Sequence, residues 1–243
     1  MMFKIYRSTN HEIHYLMSYI GGCMEVMSFI YLYKALIGFM TSNMVFGITS
    51  LARLKLDFES IYHILIILIW LVISAIHQII EYKYINKIKS RWHIYAVSLT
   101  INCILLILFI IDGNYMLKNN LFLNHPTMNV MPLVTIGLLF MYIQNFIIKS
   151  GGTKYPTSTS VVTSVYILMM TTFCQSFLAS KSRDKTRLKS ESIHYFYVIA
   201  HFFVGAFITA IINKYISFYA LLIPLLVLIA FSMKIWLIHK SQK

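Results

Sequence analysis

Acidic residues are scarce in this 243-residue chain: eight Asp and Glu stand against 21 Lys and Arg. Charged residues of both signs make up only 12%, where a soluble domain carries roughly 25%. With 58% apolar residues and a mean hydropathy of +0.71, a soluble surface would itself have to be apolar. That excludes a soluble globular protein and a disordered chain. Glycine (9) and proline (4) are too few for a collagen-like repeat. The three cysteines, Cys23, Cys103 and Cys174, each lie in an apolar stretch, and no CxxC occurs. Neither a disulfide framework nor a zinc site is indicated, and buried free thiols are expected.

What is present is a series of long Ile-, Leu-, Phe- and Tyr-rich runs. None alternates between two faces, so an all-α, polytopic bundle of membrane helices is expected and a transmembrane barrel is not. The net charge of +13 would suggest nucleic acid in a soluble protein. Here the basic residues sit between the apolar runs, where they fix orientation against anionic headgroups. The lipid bilayer is therefore the expected partner, and nucleic acid is not. Residues 1–10 are short and polar, and no small-residue cleavage pattern follows the first apolar run, so that run reads as a retained helix.

A spanning helix needs about 20 mostly apolar residues. Six segments qualify: 14–35, 61–82, 94–112, 131–149, 193–213 and 216–237. Residues 39–54 are short and polar, and 157–180 are dense in Thr and Ser. These two either cross, giving eight spans, or are short or re-entrant, giving six. Loop charge favours six with both termini cytoplasmic. That choice brings Lys83, Lys87, Lys89, Arg91, Lys149 and Lys154 inside in exchange for Arg53, Lys55 and Lys118.

The whole chain, 1–243, reads as one membrane domain with two similar halves, 12–112 and 131–237. Gly-Cys-Met-Glu (22–25), Thr41-Ser42-Asn43 and Ser74-Ala75 in the first half are echoed in the second. Their counterparts are Tyr-Ile-Gln-Asn (142–145), Thr157-Ser158-Thr159 and Gly205-Ala206. Ser74 to Tyr84 and Gly205 to Tyr215 each span ten residues. With three spans per half, the second half would be inverted relative to the first, as in many secondary transporters. With four, the halves would be parallel.

The stretch Tyr19-Ile-Gly-Gly-Cys-Met-Glu25-Val-Met-Ser-Phe29, followed by Phe39-Met-Thr-Ser-Asn43, resembles the opening of the YoaK-like family. This is a domain-of-unknown-function family of small bacterial multi-pass membrane proteins. Gly137 to Asn145 and Pro156 to Thr163 fit its second half. Glu25 stands where the family usually has Asp, and Ser42 and Ser158 replace turn glycines. A turn with positive φ tolerates Ser poorly, so either the backbone there is ordinary or the function has diverged. The resemblance implies a bacterial cell membrane and this helical fold. It implies no substrate.

Glu25 is the sharpest single feature, the one acid near the middle of a confident span. A mid-membrane carboxylate costs at least ~2.5–3.5 kcal/mol to insert, so it faces a cavity or a partner. It is either a substrate or coupling-ion ligand, or a carboxyl locking two helices together. Thr41, Ser42 and Asn43, and equally Thr157, Ser158 and Thr159, open the two short segments. They either cap free backbone N–H groups or present them to a polar substrate. Gln144 and Asn145 stand where Glu25 would fall in the other half, as substrate ligands or interhelical hydrogen-bonding groups. His77 and His201 read as packing residues or proton relays. Gly21-Gly22 allows close helix approach or local unwinding.

Catalytic signatures are missing. His11-Glu-Ile-His14 is one residue short of HExxH, and no GxSxG, P-loop or GxGxxG occurs. No enzyme activity, cofactor or metal is expected. The leading expectation is a small secondary transporter or permease for an unknown solute or ion, with its polar centre around Glu25. The alternative is an accessory or scaffold protein of a membrane complex.

Overall fold

The computed structural model describes residues 2–52, 57–85, 88, 90–150 and 162–241. They form eight α-helices, and no strand occurs among them. The helices are α1 (Met2–Tyr31), α2 (Met40–Leu51), α3 (Phe58–Lys83), α4 (Arg91–Lys118), α5 (Met131–Ser150), α6 (Val162–Leu178), α7 (Ser182–Ile216) and α8 (Leu222–Lys240). Short 3-10 turns, Met128–Val130 and Ser217–Leu221, lead into α5 and α8.

Four stretches are long and apolar enough to cross a bilayer: Phe58–Lys83, Arg91–Lys118, Met128–Lys149 and Ser182–Lys240. The last contains both α7 and α8. The 30-residue α1 matches the required length but is more polar, because it is enclosed by protein: Met17, Ile20, Met24 and Met27 are fully buried. The lipid-facing surface falls to other helices, as at Leu71, Val72 and Ile76 on α3 and Phe203 and Phe207 on α7. The described residues are thus all-helical and have the build of a membrane protein.

Several boundaries differ from those expected. α1 ends at Tyr31, not 35, because Tyr33 and Lys34 adopt left-handed backbone (φ 51 and 63). The Lys34 N–H then donates to the Phe29 carbonyl and closes the helix end. α7 begins at Ser182, well before the apolar segment at 193–213, and takes in the polar residues that precede it. Ser42 lies inside α2 and has no positive φ, so that backbone is ordinary. Cys23 and Cys103 are buried free thiols, whereas Cys174 on α6 is exposed, contrary to expectation.

Pairwise contacts fix helix directions. α1 and α7 run parallel, since His11 meets His194 near their starts and Tyr31 donates to Asn213 near their ends. α1 and α5 run antiparallel, since Gln144 meets Met17 while Met141, nearer the start of α5, packs at Gly38. α4 and α8 are antiparallel: Ser90 meets His239, and Gly113 packs on Phe218. The Tyr62 hydroxyl donates to the Leu32 carbonyl, which places the start of α3 beside the end of α1. α2 therefore leaves and returns at the same end of the bundle. The end of α5 and the start of α7 also share one end, because Gln144 and His194 both meet the N-terminal half of α1. The stretch of chain between α5 and α7, which holds α6, thus also begins and finishes at one end of the bundle.

The tightest contact is α1 against α7. A Cβ at Gly22 would land on the Phe202 carbonyl, and a Cβ at Gly205 would land on the Tyr19 carbonyl. Backbone meets backbone there, as small residues permit in membranes. Gly22→Leu or Gly205→Leu should each destabilise the detergent-purified protein by about 1–3 kcal/mol or more, by overpacking. Thermal unfolding checks this, and Leu at lipid-facing Phe203 should be close to neutral.

Candidate functional site

Glu25 sits two turns before the end of α1, 4% exposed. The chain reverses after Tyr31 and dips back, so that the Gly38 N–H donates to Glu25 Oε1 at 2.5 Å. A Cβ at Gly38 would fall on the Glu25 carboxyl and the Met141 methyl of α5, so a larger residue would push one of them aside. Glu25 Oε2 is buried without a hydrogen-bond partner among the described residues. One carboxyl oxygen is thus anchored to backbone at the entrance to α2, and the other is available.

Gln144 of α5 is fully buried and approaches the same face of α1. Its Nε2 donates to the Met17 carbonyl at 2.8 Å and lies against Gly21, where a larger side chain would strike it. Its Oε1 is also unpartnered. The fully buried Ser18 Oγ, one turn before Gly21–Gly22, is the third unpartnered oxygen. Glu25, Gln144 and Ser18 thus present three unsatisfied oxygens along one face of α1.

The other sequence candidates go elsewhere. Asn43 is fully buried but structural. Its Nδ2 donates to the Leu36 carbonyl at 2.7 Å, and its Oδ1 meets His63 Nδ1 of α3 at 3.0 Å. It locks the turn after α1 to the α2–α3 pair. Thr41 is exposed and Ser42 half-buried, and the N-cap position of α2 is Phe39 with no side-chain cap. The expected hydroxyl cap is therefore not formed there. Asn145 points away from Glu25 into a cleft of about 470 Å³ between α3 and α5, with Trp70, Gln78, Glu81 and Lys149. Consecutive residues on a helix diverge by about 100°, which separates Asn145 from Gln144. Thr157, Ser158 and Thr159 lie outside the described residues.

His201 donates through Nδ1 to the Tyr197 carbonyl of its own helix and stacks on Tyr15. His77 packs on Tyr142 and Phe146, 3.9 Å from Glu81. The group that sequence reasoning missed is His11, His14 and His194. His194 Nδ1 lies 3.0 Å from His11 Nδ1 and 3.0 Å from the Tyr15 hydroxyl, and its Nε2 lies 3.3 Å from His14 Nδ1. The two contacts use opposite nitrogens of one ring, so the three imidazoles form a chain, not a metal-chelating set. No metal-holding group of His, Cys, Asp or Glu occurs among the described residues. The available signal was histidine at 11 and 14, three apart on one face, with a further histidine opening the apolar part of α7.

Residues 13–233 match a family described as Protein of unknown function (DUF1275). No curated protein and no solved structure matches the chain.

Removing Asn43 should cost stability without touching the polar face of α1. Asn43→Ala should lose about 1–3 kcal/mol, since His63 loses the Asn43 amide and the Leu36 carbonyl keeps the Phe39 N–H but loses its bond from Asn43. Thr41→Ala should stay within about 0.5 kcal/mol. Chemical or thermal unfolding of the two variants side by side checks this.

Proposed function

We propose that this chain, which belongs to the DUF1275 family, is a small secondary transporter or permease of the bacterial cell membrane, with Glu25 and Gln144 at its polar centre. The observation that carries the reading is the buried, half-satisfied Glu25 carboxyl at the reversal between α1 and α2. An acid in that position is functional by default in a membrane protein. The re-entrant course of α2 supports it, because irregular backbone at membrane depth is kept where it lines a polar path.

On this reading six helices, α1, α3, α4, α5, α7 and α8, cross the bilayer, and α2 and α6 are re-entrant. Both termini are cytoplasmic, in line with the basic residues at 83–91 and 181–189. The halves form an inverted repeat. In support, α2 pairs with α3 as α6 pairs with α7, and α1 packs on α7 as α5 packs on α3. α1 and α5 run antiparallel, as do α4 and α8. Asn43 and Ser42 become framework, and Asn145 lies outside the centre. The protein has no catalytic role and takes no cofactor. Its partners are the bilayer and a small solute or ion.

Orientation is checked with single cysteines in a background lacking Cys23, Cys103 and Cys174. Glu59→Cys and Tyr84→Cys stand at exposed positions at the two ends of α3. Glu59→Cys should label only from outside intact cells and Tyr84→Cys only from inside. The reverse pattern would remove the six-span arrangement.

Function is checked by solute-evoked currents on supported membranes, with Na⁺, K⁺, ammonium and a mixture of amino acids as probes. Wild type should respond to at least one probe, and Glu25→Gln should accumulate and melt normally yet lose the response. Equal currents in both would end the role of Glu25. A wild type silent to every probe that co-purifies with a stoichiometric partner would favour the accessory-protein reading.

A further inference from the structure

The buried polar groups of α1 are not scattered. His11, His14, Ser18, Gly21 (with the Gln144 amide against it) and Glu25 follow at three- and four-residue steps, which is one face of a helix. His14, Ser18, Gln144 and Glu25 are all at most 4% exposed. Hydrocarbon offers no partner for such groups, and each unsatisfied polar group there costs several kcal/mol. Ser18 Oγ, Gln144 Oε1 and Glu25 Oε2 nevertheless find none among the described protein groups. Each step along the face advances about 4.5–6 Å, which is the span of one water accepting and donating a bond of about 2.8 Å.

We infer that this face of α1 is a water-bridged proton path, running from half-buried His11 through His194, His14, Ser18 and Gln144 to Glu25. It rests on the reading of Glu25 as the functional centre and names the proton as its coupling ion. A proton is taken up at His11 and handed to His194 Nδ1. His194 releases its own proton from Nε2 to His14 Nδ1, so the ring stays neutral overall. His14 in turn gives up its Nε2 proton, and waters held by Ser18 Oγ and Gln144 Oε1 carry it on to Glu25 Oε2, where a carboxylate becomes a carboxylic acid. The path enters at the end of the bundle where α1 and α7 begin, and from His14 to Glu25 it covers about 16 Å, half the hydrocarbon thickness.

Among the described residues, the other titratable groups near its mouth are Tyr15, whose hydroxyl also meets His194 Nδ1 and whose ring packs with Tyr197 and His201, Tyr195 donating to Glu191, and Glu12 paired with Lys234 of α8. Tyr19 and Cys23 lie beside the path, at the contact of α1 with α7. On α5, Lys149 faces the α3 cleft instead. Beyond Glu25 the path stops at the Gly38 N–H, with Met141 behind it.

The test uses the full chain in proteoliposomes of known orientation, without its native cysteines, and silver ion as a water-borne thiol probe. Ser18→Cys should react from the N-terminal side at least about tenfold faster than Leu106→Cys, a control fully buried in α4. Reaction no faster than the control, or only from the opposite side, would overturn the path. Proton entry into vesicles loaded with a pH dye gives a second readout with Ser18 intact. Under an inward proton gradient, Glu25→Gln and His194→Phe should both slow entry by about tenfold or more, while Ser18→Thr, which keeps the oxygen, should not. If Glu25→Gln abolishes solute-evoked current while His194→Phe leaves proton entry unchanged, the path is wrong and the transporter reading stands. If Ser18→Cys reacts as expected but Glu25→Gln changes no current, the water path stands and the transporter reading falls.

Discussion

A helix that carries His14, Ser18, Glu25 and Ser28 along its length cannot face lipid, and the rest of the bundle follows from that constraint. α1 is wrapped by α5 and α7, with α8 at its margin. Its burial sets where the other helices can go. Gly22 and Gly205 let α7 approach to backbone contact, and Gln144 lets α5 bond the Met17 carbonyl. The outer helices then need only be apolar, which is why α3 and α8 show almost continuous Ile and Leu while α1 does not.

The sequence made the helical class and most of the long helices readable, because hydropathy over about 20 residues is a strong signal. It marked Glu25 for the same reason: one acid stands out against an apolar run. It did not reveal the end of α1, because Tyr33 and Lys34 are not residues that announce a left-handed turn. It did not separate Gln144 from Asn145 either. Both are amides at adjacent positions, and only the rotation of α5 decides that one faces α1 and the other the α3 cleft. Asn43 looked like a ligand because caps and ligands draw on the same residue types. The imidazole chain was hidden because His11 and His194 are 183 residues apart and meet only through helix pairing.

The course of the two short helices joins fold and site. α2 spans only 12 residues, about 18 Å as a helix, too short to cross. By returning to the end it left, it lets the turn before it reach inward, and that turn delivers the Gly38 N–H to Glu25. Asn43 in its first turn bonds His63 of α3 and the Leu36 carbonyl, which ties the start of α2 in place.

Backbone contact between α1 and α7 also has a mechanical consequence. Side-chain packing can slip by changing rotamers, but two backbones in contact have no such slack. α1 and α7 therefore form a strut in which neither can roll or slide without lifting off the other. Any rearrangement that opened Glu25 to alternate faces would have to move this strut as one piece. The compliance must lie where helices meet through long side chains, as α4 does with α8 through Trp236, His93 and His239. The strut's seam runs beside Glu25, so the stiffest contact of the bundle lies next to its buried carboxyl.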